Sequence, residues 1–217
     1  MAGARRRRVD TSGWPTKELI LLEASRLFAV RGYLGTSTRD IATAVGIKQP
    51  SMYSHFSSKQ AIAEELLRRD LVVGIDMLEK VAADGGGPAV ELYRYLRWEV
   101  VHDLETPFDL RSLYLGPLLD QPEFAEGRRL LKRYDALMRS IVERGVESGD
   151  FIHVEPQFVK RVIDGVVLEA MRSGATERKV DDDEPDLTAA FLVRAMLSKP
   201  SRLDAVREAA HALGSPD

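Results

Sequence analysis

The chain has no cysteine among its 217 residues. That excludes disulfides, thiolate metal sites and a cysteine nucleophile. Histidine is scarce as well. His55, His102, His153 and His211 are scattered, with none of the H-x-x-x-H or H-E-x-x-H spacing that a metal-binding helix needs. No metal and no other cofactor is expected. No apolar run reaches the roughly 18 residues of a membrane span, so no membrane partner is expected. The basic N-terminus is not followed by an apolar segment, so no secretory signal is expected. These features fit a cytoplasmic protein. No G-x-S-x-G elbow, phosphate-binding loop or dinucleotide fingerprint occurs in a strand–turn–helix setting, and no convincing strand pattern occurs at all. Catalytic residues can still converge from distant positions, so a small all-helical enzyme stays open as an alternative.

What is present describes an ordinary globular chain: 44% hydrophobic and 30% charged residues, and length for one large or two small domains. The net charge of -3 hides an asymmetry. Residues 1–70 hold 12 Lys and Arg against 7 Asp and Glu, a net of +5, while the remainder holds 19 against 27, a net of -8. A basic N-terminal part joined to an acidic remainder suits a nucleic-acid reader attached to a domain that does not touch nucleic acid.

The stretch from Thr36 to Lys59, TSTRDIATAVGIKQPSMYSHFSSK, carries the most information. Ser37 with Asp40 fits the capping pattern that opens a helix. Ile41, Ala42 and Val45 give that helix an apolar face, and Gly46 stops it. Pro50 fits a second helix only within its first turn. Met52, Tyr53 and Phe56 follow at helical spacing. Ser57 with Gln60 repeats the capping pattern and starts a third helix. Helix, glycine turn, helix is the plan of a DNA-binding helix-turn-helix, whose second helix enters the major groove. Gln49 can read a base edge through its amide, and Ser51 can bond a base or a phosphate. Tyr53, His55 and Lys59 offer polar tips to phosphate oxygens. Arg39 carries the fork that pairs bidentately with guanine.

With the preceding Phe28-Ala29-x-x-Gly32-Tyr33, this pattern resembles the TetR (tetracycline-repressor-like) family of bacterial transcription regulators. The resemblance is specific over about Thr16 to Leu67 and architectural beyond. Lys48 departs from it, since many members place a small capping residue there. The Gln49-Pro50-Ser51 triplet is close to the recognition helix of the tetracycline repressor. The full expected DNA-contacting set is Thr36, Thr38, Arg39, Lys48, Gln49, Pro50, Ser51, Tyr53, His55 and Lys59.

Around this core the chain reads as follows. Arg5 to Arg8 form a basic run that either lies along DNA or is a solvated tail. Pro15 and Thr16 start a first long helix with Ile20, Ala24, Leu27 and Phe28 as its stripe, and Gly32 ends it. A longer helix spans Lys59 to about Val81; the resemblance implies that it couples effector to DNA. Gly85-Gly86-Gly87-Pro88 is a linker, without the lysine of a phosphate loop. A helix over Pro88–Thr106 and proline-broken pieces lead to a long helix over Glu123–Ser148. Its Arg128, Arg129, Lys132 and Arg133 make either a second basic site or a solvated face. Two helices then follow, over Pro156–Arg172 and Leu187–Leu197, apolar on more than one side. They predict a dimer interface through Phe158, Val162, Gly165, Val166, Leu187 and Phe191, forming a four-helix bundle across a two-fold axis, with core helices of a monomer as the alternative. A last amphipathic helix contains Leu203, Val206, Ala210 and Leu213.

The resemblance also implies a pocket for a small, mostly apolar effector. Trp98, His102, Phe108, Tyr114 and Leu118 are its candidate lining, each with a plain core role as the alternative. The expected protein is all-α: a basic arm at 1–14, a three-helix DNA-binding domain at 15–62, and a helical effector-binding and dimerisation domain at 63–217. Its expected function is that of a ligand-responsive, homodimeric transcription regulator, a repressor released from a near-palindromic double-stranded operator by a small-molecule effector. A helical protein-interaction module is the other alternative. It leaves Arg39, Gln49, Tyr53 and Lys59 without a task.

Overall fold

A computed structural model describes residues 9–115, 117–174 and 181–214; the Arg5–Arg8 run lies outside them. The described residues form ten α-helices: α1 Thr16–Arg31, α2 Thr38–Val45, α3 Gln49–Tyr53, α4 Lys59–Asp84, α5 Pro88–Glu105, α6 Arg111–Tyr114, α7 Ala125–Glu147, α8 Pro156–Gly174, α9 Glu184–Met196 and α10 Leu203–Ala212. Short 3-10 turns occupy Pro117–Asp120, Pro122–Phe124 and Pro200–Arg202. Among the described residues there is no strand, only one isolated antiparallel bridge between Phe151 and Leu197. None of these helices is long and apolar enough to cross a membrane.

The punctuation in the sequence explains most boundaries. Gly46 closes α2 in the left-handed region, at φ 78°, which costs glycine little and other residues more. Gly85, Gly86 and Gly87 all take positive φ between α4 and α5, so the linker is a turn of defined shape. Two starts differ from expectation. The helix expected over Leu187–Leu197 begins at Glu184, because Pro185 fits within its first turn. The cap of α4 is Ser58 rather than Ser57: its hydroxyl accepts from the Ala61 amide at 3.0 Å.

The chain packs as two units. Among the described residues the first is drawn from 9–71, 106–131 and 171–174, the second from 72–105, 132–170 and 181–214. This division follows packing, and it assigns residues 106–131 to the unit that contains α1 to α3. The first unit's core joins Ile20, Leu21, Ala24 and Phe28 of α1 to Ile41 and Ala42 of α2, Met52 of α3, and Ile62, Leu66 and Leu67 of α4. Leu110, Leu113, Leu118, Leu119 and Phe124 complete it. Arg69 donates to both carboxylate oxygens of Glu18 at 2.7 and 2.9 Å, fastening α4 to α1 inside this unit.

The second unit's core gathers Leu78 and Val81 of α4, Leu92 and Leu96 of α5, Met138, Ile141 and Val142 of α7, Val159 and Ile163 of α8, and Val193 and Met196 of α9. Polar groups enter it in pairs, as buried charge requires. Glu91 accepts from Arg144 at 3.0 and 2.6 Å. Buried Arg94 pairs with Asp84 at 2.9 Å. Three of the four basic residues of the α7 cluster are engaged by neighbours. Arg128 donates to the Leu119 and Gln121 carbonyls, Arg129 to Glu126 and Arg133 to Glu79. The three arginines thus spend their charge within the chain, and Lys132 stays exposed.

Candidate nucleic-acid interface

The first unit holds up a short two-helix edge. Ser37 and Asp40 form a reciprocal cap at the start of α2. The Ser37 hydroxyl accepts from the Asp40 amide at 3.1 Å, and the Asp40 carboxylate accepts from the Ser37 amide at 2.9 Å. Those serine hydrogen bonds hold the Asp40 carboxyl below the usual carboxylate range. Past Gly46, the Ile47 amide returns to the Ala42 carbonyl at 3.0 Å, and the chain reverses into α3. Lys48 precedes α3 in an extended conformation with no side-chain cap, and Pro50 sits within the first turn. Met52 and Phe56 are buried and anchor α3, while Ile41 and Ala42 anchor α2.

With those anchors inside, the opposite side is polar and open. Arg39, Lys48, Gln49, Pro50, Ser51, Tyr53 and His55 are all exposed. The Arg39 guanidinium has no ion-pair partner among the described residues. Thr38 is half-buried, and its hydroxyl oxygen links Gln49 to Tyr53. The Gln49 amide donates to it at 3.3 Å, and the Tyr53 hydroxyl lies 3.3 Å away. Ser54 joins the exposed row without having been singled out from the sequence; its hydroxyl donates to the Ser51 carbonyl at 2.7 Å. Its place directly after α3, between Tyr53 and His55, was the available signal.

One expected contact is corrected, and a second is engaged by the chain's own backbone. Thr36 is 2% exposed, and its hydroxyl donates to the Gly32 carbonyl at 2.9 Å. It braces the α1–α2 turn and presents nothing to a duplex. Lys59 is half-buried. Its ammonium donates to the Tyr33 carbonyl at 2.7 Å and the Thr36 carbonyl at 2.8 Å. Burial pushes its pKa down.

The residues of the expected effector lining are divided between the two packing units. Phe108, Tyr114 and Leu118 pack against the first unit's core, and the Tyr114 hydroxyl donates to Asp70 at 2.6 Å. Trp98 and His102 belong to the second unit and stack on each other at 5.0 Å, 15° from parallel. Sequence reading missed a third group. Tyr95 and Tyr134 both donate to one oxygen of Glu99, at 2.9 and 2.6 Å. Burial, then the Glu99 charge, pushes both tyrosines well above their usual range. Tyr95 and Glu99 stand one turn apart on α5, which was the only hint. Of the expected dimer residues, Phe158, Val162, Gly165, Leu187 and Phe191 are exposed on α8 and α9. Val166 is half-buried and packs against the second unit's core.

The family model of bacterial regulatory proteins of the tetR family matches residues 20–66, the span that builds this edge. The chain is 43% identical over 146 residues to the HTH-type transcriptional repressor KstR2 of Mycolicibacterium smegmatis, covering 65% of this chain and 71% of that protein. It is 30% identical over 145 residues to KstR2 of Rhodococcus jostii, with the same coverage of 65% and 71%. The crystal structure of Mycobacterium smegmatis AmtR superposes with a TM-score of 0.78 at 26% identity, covering 97% of this chain and 98% of that one. By the helix-turn-helix geometry and these relatives, the chain belongs to the tetR family of bacterial regulatory proteins and is a DNA-binding transcriptional regulator.

Proposed function

We propose that the protein is a cytoplasmic, homodimeric repressor that reads a near-palindromic operator in double-stranded DNA and is released from it by a small-molecule effector. The observation that carries the DNA part is the open row of Arg39, Lys48, Gln49, Ser51, Tyr53 and His55 on helices whose other side is fully anchored. Arg39 and Gln49 are the base readers; Lys48, Ser51, Tyr53 and His55 serve phosphates and the groove edge. Support for the dimer comes from apolar side chains left open on two helices of the second unit: Phe158 and Val162 on α8, Leu187 and Phe191 on α9. A soluble monomer seldom leaves such a set uncovered. Two-fold pairing would set two readers about 34–36 Å apart, one turn of the duplex.

The effector would be read in the second unit. There Tyr95, Glu99 and Tyr134 supply polar groups among apolar neighbours, the mixture that orients a small ligand. To shift the repressor it must bind the DNA-incompetent state more tightly than the competent one. The test is selection of bound duplexes from a random library with the purified full-length chain. A two-fold-symmetric motif bound by two chains is the expected outcome. Enrichment of no motif, or one chain per site, overturns the reading.

A further inference from the structure

Lys59 is the first residue of α4, and its charge is turned inward. Its ammonium lies between two backbone oxygens of the α1–α2 turn, Tyr33 at 2.7 Å and Thr36 at 2.8 Å. The face of the Tyr33 ring closes a third side, 4.1 Å from the ammonium nitrogen to the ring centroid. That ring is itself fixed, tilted on Phe28 at 5.4 Å and edge-on to Phe124 at 5.6 Å. The turn is braced from within by the Thr36 hydroxyl on the Gly32 carbonyl. Directly after it comes Ser37, whose cap starts α2. A cation held by two carbonyls and an aromatic face has strong, geometrically defined partners. Removing it leaves the carbonyl of buried Thr36 without its donor.

We propose that Lys59 is a positioning residue: its ammonium pins the start of α4 to the α1–α2 turn and so sets the direction from which α2 and α3 meet DNA. A phosphate contact, the role its position beside the reader suggests, is not its main task. The inference rests on the DNA-reading assignment, and it has arms that do not need DNA.

Three measurements on full-length Lys59→Met and the unaltered protein test it. The first is amide exchange. Residues 33–47 should exchange at least about tenfold faster in the variant, with α9 and α10 unchanged, because the loosened contact is local. The second is the salt dependence of binding to a random-sequence duplex. Its slope should be unchanged, while the preference for a selected operator over random sequence falls. A phosphate contact would instead flatten the slope by about 0.9 and leave amide exchange alone; that pair of results overturns the proposal. The third keeps the test alive if the variant does not fold. In the unaltered, DNA-free protein the Lys59 ammonium protons should be visible by nitrogen-correlated NMR and exchange more slowly than those of exposed Lys48. Exchange as fast as Lys48 rejects the pin. If the protein binds no duplex at all, the DNA reading fails, and the amide and ammonium arms still decide the role of Lys59.

Discussion

Gln49 and Thr38 are eleven residues apart in sequence and joined in space: the glutamine amide donates to the threonine hydroxyl oxygen at 3.3 Å. Tyr53 reaches the same hydroxyl at 3.3 Å. One small side chain on α2 thus orients two exposed side chains on α3. Bidentate readout of adenine needs the glutamine amide held in plane, with one N–H and the carbonyl oxygen facing the base. Thr38→Val keeps the shape and removes the hydroxyl. It should reduce discrimination at the base read by Gln49 by roughly a few fold, with a smaller loss on random duplex through the freed Tyr53. Competition gel shifts across operator variants check this.

Arg39→Ala and Gln49→Ala should each cost about 1–3 kcal/mol on the selected operator if their contacts are bidentate. The loss should be confined to sequences that carry the matching base. Equal loss on every sequence would assign these side chains to phosphates instead. Lys48→Ala should behave in that second way, weakening all duplexes alike and lowering the salt slope by about 0.9.

The parts of this structure legible in the sequence are those written by local chemistry. The Ser37–Asp40 cap, the stop at Gly46 and the proline starts of α5 and α8 each solve a backbone problem within a few residues. Anchors such as Ile41, Met52 and Phe56 follow from helical spacing. Thr36 and Lys59 both serve carbonyls that a turn leaves open, and a turn's unmet acceptors do not show in residue type. The effector lining was chosen by nearness in sequence, yet Phe108 and Leu118 belong to a different packing unit from Trp98. The Tyr95–Glu99–Tyr134 cluster depends on α5 and α7 meeting at one height, which no local pattern records.

Acid should weaken the first unit through Glu18. Hydrogen bonds from Arg69 hold the Glu18 carboxyl below its ordinary 4.5. A folded-state pKa below the unfolded one gives stability that is full above the unfolded pKa and lost as pH falls through the folded value. Glu18→Gln should therefore cost about 1 kcal/mol at neutral pH, and the gap between variant and parent should narrow as pH falls below the ordinary 4.5. Urea titrations at a series of pH values measure it; a gap that stays constant or widens down to the pH at which the parent itself acid-unfolds would falsify the assignment.

Gly145 on α7 tests packing in the second unit. A Cβ there would lie 2.1 Å from Cδ2 of the Phe151 ring. Helix propensity favours alanine by roughly 0.8–1 kcal/mol, but overpacking costs about 1–3 kcal/mol and more when a ring must move. The steric effect should win, so Gly145→Ala lowers the urea midpoint. In a Phe151→Ala background the ring is gone, and the same substitution should become neutral or stabilising.

The open apolar side chains of α8 and α9 carry the dimer reading. Phe191 is 75% exposed and Phe158 52%, so replacing either with glutamate removes little from the chain's own core. Surface substitutions of this kind change folding stability by about 0.5 kcal/mol or less. If the face is instead covered by a second copy, each substitution acts twice across the two-fold axis. Losing two buried phenylalanines at about 1.5–3 kcal/mol each weakens association by at least about 100-fold. Sedimentation equilibrium of the parent, Phe158→Glu and Phe191→Glu should then show a dimer, and two folded chains that dissociate at micromolar concentration. Loss of operator binding should track that dissociation, because one reader alone gives up the second half-site. A parent that sediments as a monomer, or variants that associate as tightly as it does, would mean that these side chains face something other than a second copy.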